Sequence, residues 1–260
     1  MSKNAKRSES PPISVSQNFL TSAKTIRRLL RLTTICERDH VIEIGAGKGH
    51  ITRELVKVCR FVSAYEIDAK LYGPLRQRLG CSDQLNLMNH DFLRASLPKN
   101  TPYKVFSNIP FSITADIVRK LTDADNPPQE AWLVMEKGAA KRFSGKPRDT
   151  LCSIRLKSLF DMKIVYHFSG QDFHPAPSVE IVLLQLSKKK PPDIPTAQQK
   201  SFDHFVGKCL RYGLYSQLTK RQVSTALKRA ELPLIPESGT ILYIQWLCLF
   251  RCWRQKHGCR

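Results

Sequence analysis

An α/β fold, with a mostly parallel sheet covered by helices and a small helical unit appended, is predicted by three observations on this 260-residue chain. Apolar strand-like runs alternate with segments of helical spacing as far as Leu186. A loop of three glycines follows the first of those strands. A stretch rich in lysine and proline then ends the alternation, and only helix-like segments come after it. Alternation of this kind implies strands joined by crossover helices, hence a parallel sheet with both faces covered.

The elements follow in order. Val41–Gly45 is an apolar strand that runs into Gly45-Ala46-Gly47-Lys48-Gly49, and Ile51–Cys59 has helical spacing. Phe61–Asp68 and Leu85–Asp91 read as strands with the helical Ala69–Leu79 between them. Lys104–Ile109 is a fourth strand, Thr114–Leu121 a helix and Ala131–Glu136 a fifth strand. Two further helical stretches follow, the charged Lys137–Phe143 and the apolar Leu151–Phe160. Lys163–Phe168 and Val179–Leu186 close the set around the loop Gly170–Ser178, and their short connection predicts an antiparallel pair. Ser187 to Thr196, with three lysines and three prolines, is a linker. Three helices are expected beyond it, over Gln199–Arg211, Gln217–Ala230 and about 239–254. The domain boundaries are therefore 1–186, with 1–13 a flexible basic tail, then 187–196 and 197–260.

The net charge is +20, and it is unevenly placed. Residues 1–40 carry 8 basic and 3 acidic side chains, residues 41–184 carry 20 and 15, and residues 185–260 carry 14 and 4. A nearly balanced middle between basic ends suits a catalytic core with a polyanion-binding rim, nucleic acid being the expected partner. Cys36, Cys59, Cys81, Cys152, Cys209, Cys248, Cys252 and Cys259 mostly sit singly in apolar segments, as small hydrophobes do. The polar start, Met1 to Ser10, has no signal-peptide core, so a reduced, cytoplasmic setting is expected and no disulfides with it. Cys248, Cys252, His257 and Cys259 fit no common zinc spacing and read as core thiols, so no metal is expected. The apolar run Ile241–Phe250 is about half the ~20 residues a membrane helix needs.

The chemistry gathers at strand ends, where ligands of such sheets bind. The glycine loop lets backbone approach a ligand and would suit NAD, FAD or S-adenosylmethionine alike. Glu66 ends the next strand, placed for a carboxylate to bridge ribose hydroxyls. Asp91 ends the third, where it could accept from an exocyclic amine, and Asn108 ends the fourth. No Lys-Ser/Thr follows the glycines, which excludes a P-loop. Asn108-Ile109-Pro110-Phe111 separates the remaining cofactors. An amide and a neighbouring backbone carbonyl can accept both hydrogens of an NH2 group, proline aims them, and an aromatic ring stacks on a flat base. Hydride transfer has no use for that set; methylation of an amine nitrogen does.

Ser16-Gln17-Asn18-Phe19-Leu20, Glu43 to His50, Tyr65-Glu66-Ile67-Asp68, His90-Asp91 and Asn108 to Phe111 together resemble the ribosomal RNA adenine-N6 dimethyltransferases, the superfamily of the Erm resistance enzymes and the KsgA ribosome-biogenesis enzymes. Phe173-His174-Pro175-Ala176-Pro177 and the tail from Leu218 to Phe250 are similar to the Erm branch. The resemblance implies a Rossmann-like methyltransferase domain at 1–186 and an rRNA-recognition role for 197–260. It implies S-adenosylmethionine as cofactor, contacted by Asn18, Leu20, Gly45, Gly47, Glu66, Asp91 and Asn108. Asn108, Pro110 and Phe111 are its catalytic set, with Phe111 and Phe173 stacking on either side of the target adenine. The Erm likeness further implies a monomer acting on 23S rRNA, protein-free or in early assembly, with no membrane partner. Its product would confer resistance to macrolides, lincosamides and streptogramin B. A KsgA-like enzyme acting on small-subunit rRNA, or a silent RNA-binding factor on the same fold, are the alternatives. His174, Lys48 and His50 are expected to be positional, because a methylated adenine N6 can lose its proton to water without a base.

Overall fold

The computed structural model describes residues 18–80, 82–236 and 239–257. The expected tail 1–13, the motif residues Ser16 and Gln17, and Cys81 and Cys259 lie outside them. In chain order the elements of the first unit are β1 (Phe19–Leu20), α1 (Ala23–Leu30), β2 (His40–Ile44), α2 (His50–Leu55), β3 (Phe61–Glu66), α3 (Ala69–Leu79), β4 (Leu85–Asn89), β5 (Lys104–Asn108), α4 (Thr114–Thr122), β6 (Glu130–Glu136), α5 (Lys137–Phe143), α6 (Leu151–Leu159), β7 (Phe160–His167), β8 (Phe173–His174) and β9 (Ile181–Lys188). The helices α7 (Thr196–Tyr212), α8 (Lys220–Arg229) and α9 (Tyr243–His257) form the second.

Seven strands make one sheet in the order β4-β3-β2-β5-β6-β9-β7. The pairs among β2 to β6 are parallel, and β9 runs antiparallel to both β6 and β7. The antiparallel ending is the one expected from the short β7–β9 connection. The inner strands are apolar on both faces because helices cover both: Val41, Ile42, Val62, Val105, Phe106, Trp132 and Leu133 have no exposed surface. The edge strand β4 is covered less and carries Asn86 and Asn89. The chain winds one way from β2 through β3 to β4 and the other way from β5 onward. The carboxyl ends of β2 and β5 are thus a topological switch point, where a crevice opens in sheets of this kind.

Three features go beyond the sequence pattern. The short α1, capped by Ser22, was not among the expected elements; it buries only Ile26, Leu29 and Leu30. β1 adds two residues to a separate ladder with β8, in the register Phe19 to His174 and Leu20 to Phe173. Lys104 is buried within a central strand, its ammonium donating to the Thr34 carbonyl and hydroxyl and to Asp39 at 2.9 Å. A buried ammonium so fully paired holds the Thr34–Asp39 loop under the sheet.

The lysine- and proline-rich connection is anchored. Lys189 N–H donates to the Leu159 carbonyl and Asp193 N–H to the Ser158 carbonyl. The Asp193 carboxylate accepts from Lys189 and from the Tyr243 hydroxyl, and Ile194 is 2% exposed. The helical unit packs around Phe202, Phe205, Trp246, Phe250 and Trp253, and Ile154 of α6 is part of that same core. Ile154 therefore joins the two units by hydrophobic burial. Ile154→Ala is expected to lower unfolding free energy by about 2–5 kcal/mol, the scale of truncating a fully buried aliphatic side chain. Urea denaturation followed by circular dichroism checks this, and a midpoint unchanged from the parent would contradict it.

Candidate active site

A cleft opens at the carboxyl ends of β2, β3 and β5, lined by Asn18, Phe19, Gly45, Gly47, Glu66, Ile67, Asn108 and Ile109 to Ile113. Its position follows from topology, because the three strands are neighbours and end on the same side. Its lining is set by local geometry at each strand end.

The glycine loop turns three times through positive φ, at Gly45 (75°), Gly47 (55°) and Gly49 (73°). A Cβ on Gly47 would approach the Phe19 ring to 2.8 Å, and one on Gly49 would reach Leu75 at 2.3 Å. A Cβ on Gly45 would project toward Pro110 and the Asn108 carbonyl at 3.9–4.0 Å, filling the floor between loop and strand end. The loop amides turn inward. Gly45 and Ala46 both donate to the Tyr65 carbonyl, Gly49 donates to Ala46, and Gly47 donates to Glu66 Oε2 at 2.7 Å. Backbone amides that cradle a phosphate must be free to donate to it. Here four are already spent and the Glu66 carboxylate stands among them, so a dinucleotide pyrophosphate does not fit. A cofactor without phosphates does.

Glu66 is 2% exposed. Its Oε2 holds the Gly47 amide and its Oε1 the Asp68 amide at 2.8 Å. Each carboxylate oxygen offers more than one acceptor site, so both retain capacity for a ligand hydroxyl. Asp68 in turn caps α3 by accepting from Lys70 N–H.

Asn108 carries the most telling geometry. Its Nδ2 donates to the Asn18 carbonyl at 2.8 Å. A carbonyl can only accept, so this bond fixes which end of the amide is nitrogen. Oδ1 is thereby left as the acceptor end of the amide, buried and with no donor of its own. Beyond it, the Pro110 carbonyl accepts from Ile113 N–H and the Thr114 hydroxyl, starting a short 3-10 turn into α4. Phe111, at the head of that turn, is half-buried and lines the cleft.

Behind the loop, burial pushes the Glu43 carboxyl up to about 8, aided by the charge of Glu66 and partly offset by Thr52. Burial disfavours the charged form of Glu43, and a second carboxylate nearby disfavours it further. Burial lowers the His50 pKa, and the cations Arg53, Lys48 and Arg78 lower it further. Lys48 lies 5.0 Å above the Phe19 ring.

Of the residues singled out in the sequence, Asn18, Gly45, Gly47, Glu66, Asn108, Pro110 and Phe111 come together at this cleft. Leu20, Asp91 and Phe173 do not line it. Asp91 stands two residues past the end of β4, where its Oδ1 caps a 3-10 turn by accepting from Leu93 N–H and its Oδ2 pairs with Arg94 at 3.6 Å. Phe173 is 4% exposed, aligned with Leu20 across the β1–β8 ladder and packed on Phe168 at 5.2 Å between ring centroids. Its faces are covered by core, so the second stacking surface expected of it is not presented to the cleft. The cleft also uses Phe19 and Ile67, which the motif reading passed over. Their signal was an apolar side chain beside a polar motif residue; Ile67, between Glu66 and Asp68, is 48% exposed.

With this geometry, comparison with known proteins is informative. The family model of ribosomal RNA adenine dimethylase matches residues 11–230. An rRNA adenine N-6-methyltransferase of Lysinibacillus sphaericus is 35% identical over 243 residues, spanning 94% of this chain and 97% of that protein. One of Escherichia coli is 30% identical over 246 residues, spanning 95% and 98%. Among solved structures, the 23S rRNA methyltransferase ErmE superposes with a TM-score of 0.80 at 28% identity, over 92% of this chain and 100% of that one. A dimethyladenosine transferase from Plasmodium falciparum shares the fold, with a TM-score of 0.69 at 17% identity over 92% and 97% of the two chains.

The Glu43 environment has a consequence for stability. Its folded pKa lies above the ordinary value of 4.5, so between pH 4.5 and about 8 the native state holds a proton that the unfolded chain releases. Stability from this group is full below that window and is lost as pH rises through it. Glu43→Gln, neutral at every pH, is expected to flatten the decline of melting temperature between pH 5 and 8 relative to the parent. Parallel slopes in the two proteins would contradict it.

Proposed function

The chain belongs to the ribosomal RNA adenine dimethylase family, S-adenosylmethionine-dependent rRNA adenine N6-methyltransferases, and on that premise we propose that it acts in the Erm branch. On this reading it methylates one adenine of 23S rRNA in the bacterial cytoplasm, as a monomer, and confers resistance to macrolides, lincosamides and streptogramin B. The Asn-Ile-Pro-Phe motif and the basic tail support the Erm branch over a KsgA-like one. So does the likeness to ErmE, a 23S rRNA methyltransferase, across its whole length.

One observation carries the chemistry: Asn108 lines the cleft, and its Oδ1 is an acceptor without a donor. S-adenosylmethionine, when bound, supplies an activated methyl group on a sulfonium. Glu66 would hold its ribose hydroxyls with the acceptor capacity left on both oxygens. The backbone at Asn18 and Gly45 would hold its amino-acid end, with Leu20 shaping that wall from behind. Ile67 would cover one face of its base, and Asp91, which does not line the cleft, would accept from the amine only where the base extends past it toward the end of β4. For the target, Asn108 Oδ1 accepts one N6 hydrogen. The Pro110 carbonyl is engaged in its turn, which assigns the second hydrogen to the carbonyl of Ile109. Phe111 stacks on the adenine. Phe173 acts at one remove, by holding β1 and so the Asn18 carbonyl that orients Asn108.

Adenine N6 is a poor nucleophile because its lone pair is delocalised into the ring. Two acceptors on its hydrogens aim that lone pair at the methyl, and positioning of this kind can supply on the order of 7–11 kcal/mol. After transfer the nitrogen is acidic and its proton leaves to water. The base must first leave its stack, at a cost that unpaired RNA reduces and Phe111 offsets.

Phe111→Ala is expected to leave S-adenosylmethionine affinity nearly intact and to remove most transfer, whereas Phe111→Tyr keeps it. Asn108→Ala should abolish single-turnover methylation, and Glu66→Ala should weaken cofactor binding by about 1.5–3 kcal/mol. Calorimetry with the cofactor and a tritium-transfer assay on RNA separate these effects; a Phe111→Ala protein at parental rate would refute the stacking role.

The branch is tested by target. Purified protein should label protein-free 23S rRNA and leave mature large subunits nearly untouched. Its expression should make a sensitive bacterium resistant to erythromycin and clindamycin, and Asn108→Ala should remove the resistance. Label in small-subunit RNA with unchanged macrolide sensitivity would overturn the Erm branch and leave the methyltransferase standing.

A further inference from the structure

Two tyrosines at the junction of α7 and α8 stand out from the rest of the surface. Tyr212, the last residue of α7, is 61% exposed, and Tyr215 is 55% exposed. Between them Gly213 bends the chain at φ 84°, and Leu214 is buried, anchoring the turn. The rings therefore face solvent on a short turn fastened from beneath. Both are attended by cations: Lys208 and Arg211 lie 5.7 and 5.9 Å from the Tyr212 ring, and Lys220 lies 5.8 Å from that of Tyr215. Beside them a groove runs along α7, with Lys208, Arg211 and His204 on its wall and Leu210 in it. The acid there, Asp203, is already held by Arg155 and Gln199.

Exposed aromatic rings interleaved with cations are what an unpaired nucleic-acid strand requires: a π-face for each base and a positive charge for each phosphate. Leu151 and Leu210 add some exposed apolar surface to the groove, but the cations on Tyr212 and Tyr215 suit a polyanion better than the charge-depleted core of a protein interface. The surrounding segment, with 14 basic and 4 acidic side chains over residues 185–260, is complementary to a polyanion. We propose that Tyr212 and Tyr215, neither of which lines the catalytic cleft, form a second RNA-binding site on which unpaired bases flanking the target stack while Lys208, Arg211 and Lys220 neutralise their phosphates. The proposal rests on the rRNA substrate assigned above. It adds a sequence-tolerant stacking contact that raises affinity without entering the chemistry.

The test uses the full chain, protein-free 23S transcript and a fluorescein-labelled 12-nucleotide single-stranded RNA. Tyr212→Ala/Tyr215→Ala is expected to weaken binding of both RNAs about tenfold or more, the scale of a lost base–aromatic stack. KM for RNA rises accordingly, while kcat at saturating RNA and cofactor affinity stay at parental values. The salt dependence of binding keeps its slope, because stacking releases no counterions. Tyr212→Trp/Tyr215→Trp retains parental affinity, a rescue that a purely structural role for the hydroxyls would not give. Lys208→Gln/Arg211→Gln does the converse and flattens the slope. An alanine pair that binds RNA like the parent would overturn the proposal and assign the rings to another partner. So would a tryptophan pair as weak as the alanine pair. A parent that binds no RNA and methylates none would instead bring down the substrate reading itself.

Discussion

A single hydrogen bond, from Asn108 Nδ2 to the carbonyl of Asn18, organises the catalytic side of this protein. The partners are 90 residues apart in sequence and meet because β1 is held against the sheet's crevice. Without it the amide could face either way, and only one orientation leaves an acceptor toward an incoming amine. The bond is in turn only as firm as the Asn18 backbone. That segment is stapled by the β1–β8 ladder, by Thr21 N–H donating to the Asp172 carbonyl, and by the Thr25 hydroxyl donating to the Asp172 carboxylate. Phe173 lies inside this staple, so its burial and the orientation of Asn108 are one structural fact.

The same economy governs the glycine loop. Its amides are satisfied by Tyr65 and Glu66, which makes the loop rigid before any ligand arrives. Preorganisation of this kind means that binding does not have to order the loop. Saturating the amides also reverses the usual electrostatics of such a loop, from a site for anions to one bordered by a carboxylate. A cofactor with a cationic sulfur and ribose hydroxyls suits that field. Glu43, 1% exposed on β2, is held toward its protonated form by burial first and by the charge of Glu66 second.

Much of this was legible in the chain. The parallel strands announce themselves because burial on both faces demands continuous apolar runs, as in β2 and β5. The site residues announce themselves because a sheet delivers its ligands' contacts at strand ends, and Gly45, Glu66 and Asn108 stand there. What stayed hidden depends on contacts between distant segments. α1 is short, with three basic residues among its eight, and it becomes a helix by burying Ile26, Leu29 and Leu30 in the core. Phe173 looked like a free ring in a proline-rich loop, but the ladder with β1 that buries it has only two residues and no periodic signature. Lys104 heads an apolar strand, and nothing local tells that Thr34 and Asp39 wait for its ammonium. The composition of 187–196 reads as a linker; its bonds to Ser158 and Leu159 exist only once α6 is in place.

That last difference bears on how such an enzyme selects its adenine. A helical unit on a slack tether would add affinity as an effective concentration, with little say over which base enters the cleft. Here Ile154 enters the helical core, Arg155 of the same helix pairs with Asp203 at 3.4 Å, and Asp193 ties the connection to Tyr243. α6 thus belongs to both units, with Ile154 in the helical core and Leu156 in the core of the sheet. The basic surface is then a fixed ruler rather than a drifting anchor. If the proposed RNA contacts of that unit hold, specificity becomes a matter of RNA shape more than of base-edge contacts. In proteins that read folded RNA this is the expected balance, because a duplex hides its bases and offers shape, phosphates and splayed single strands instead.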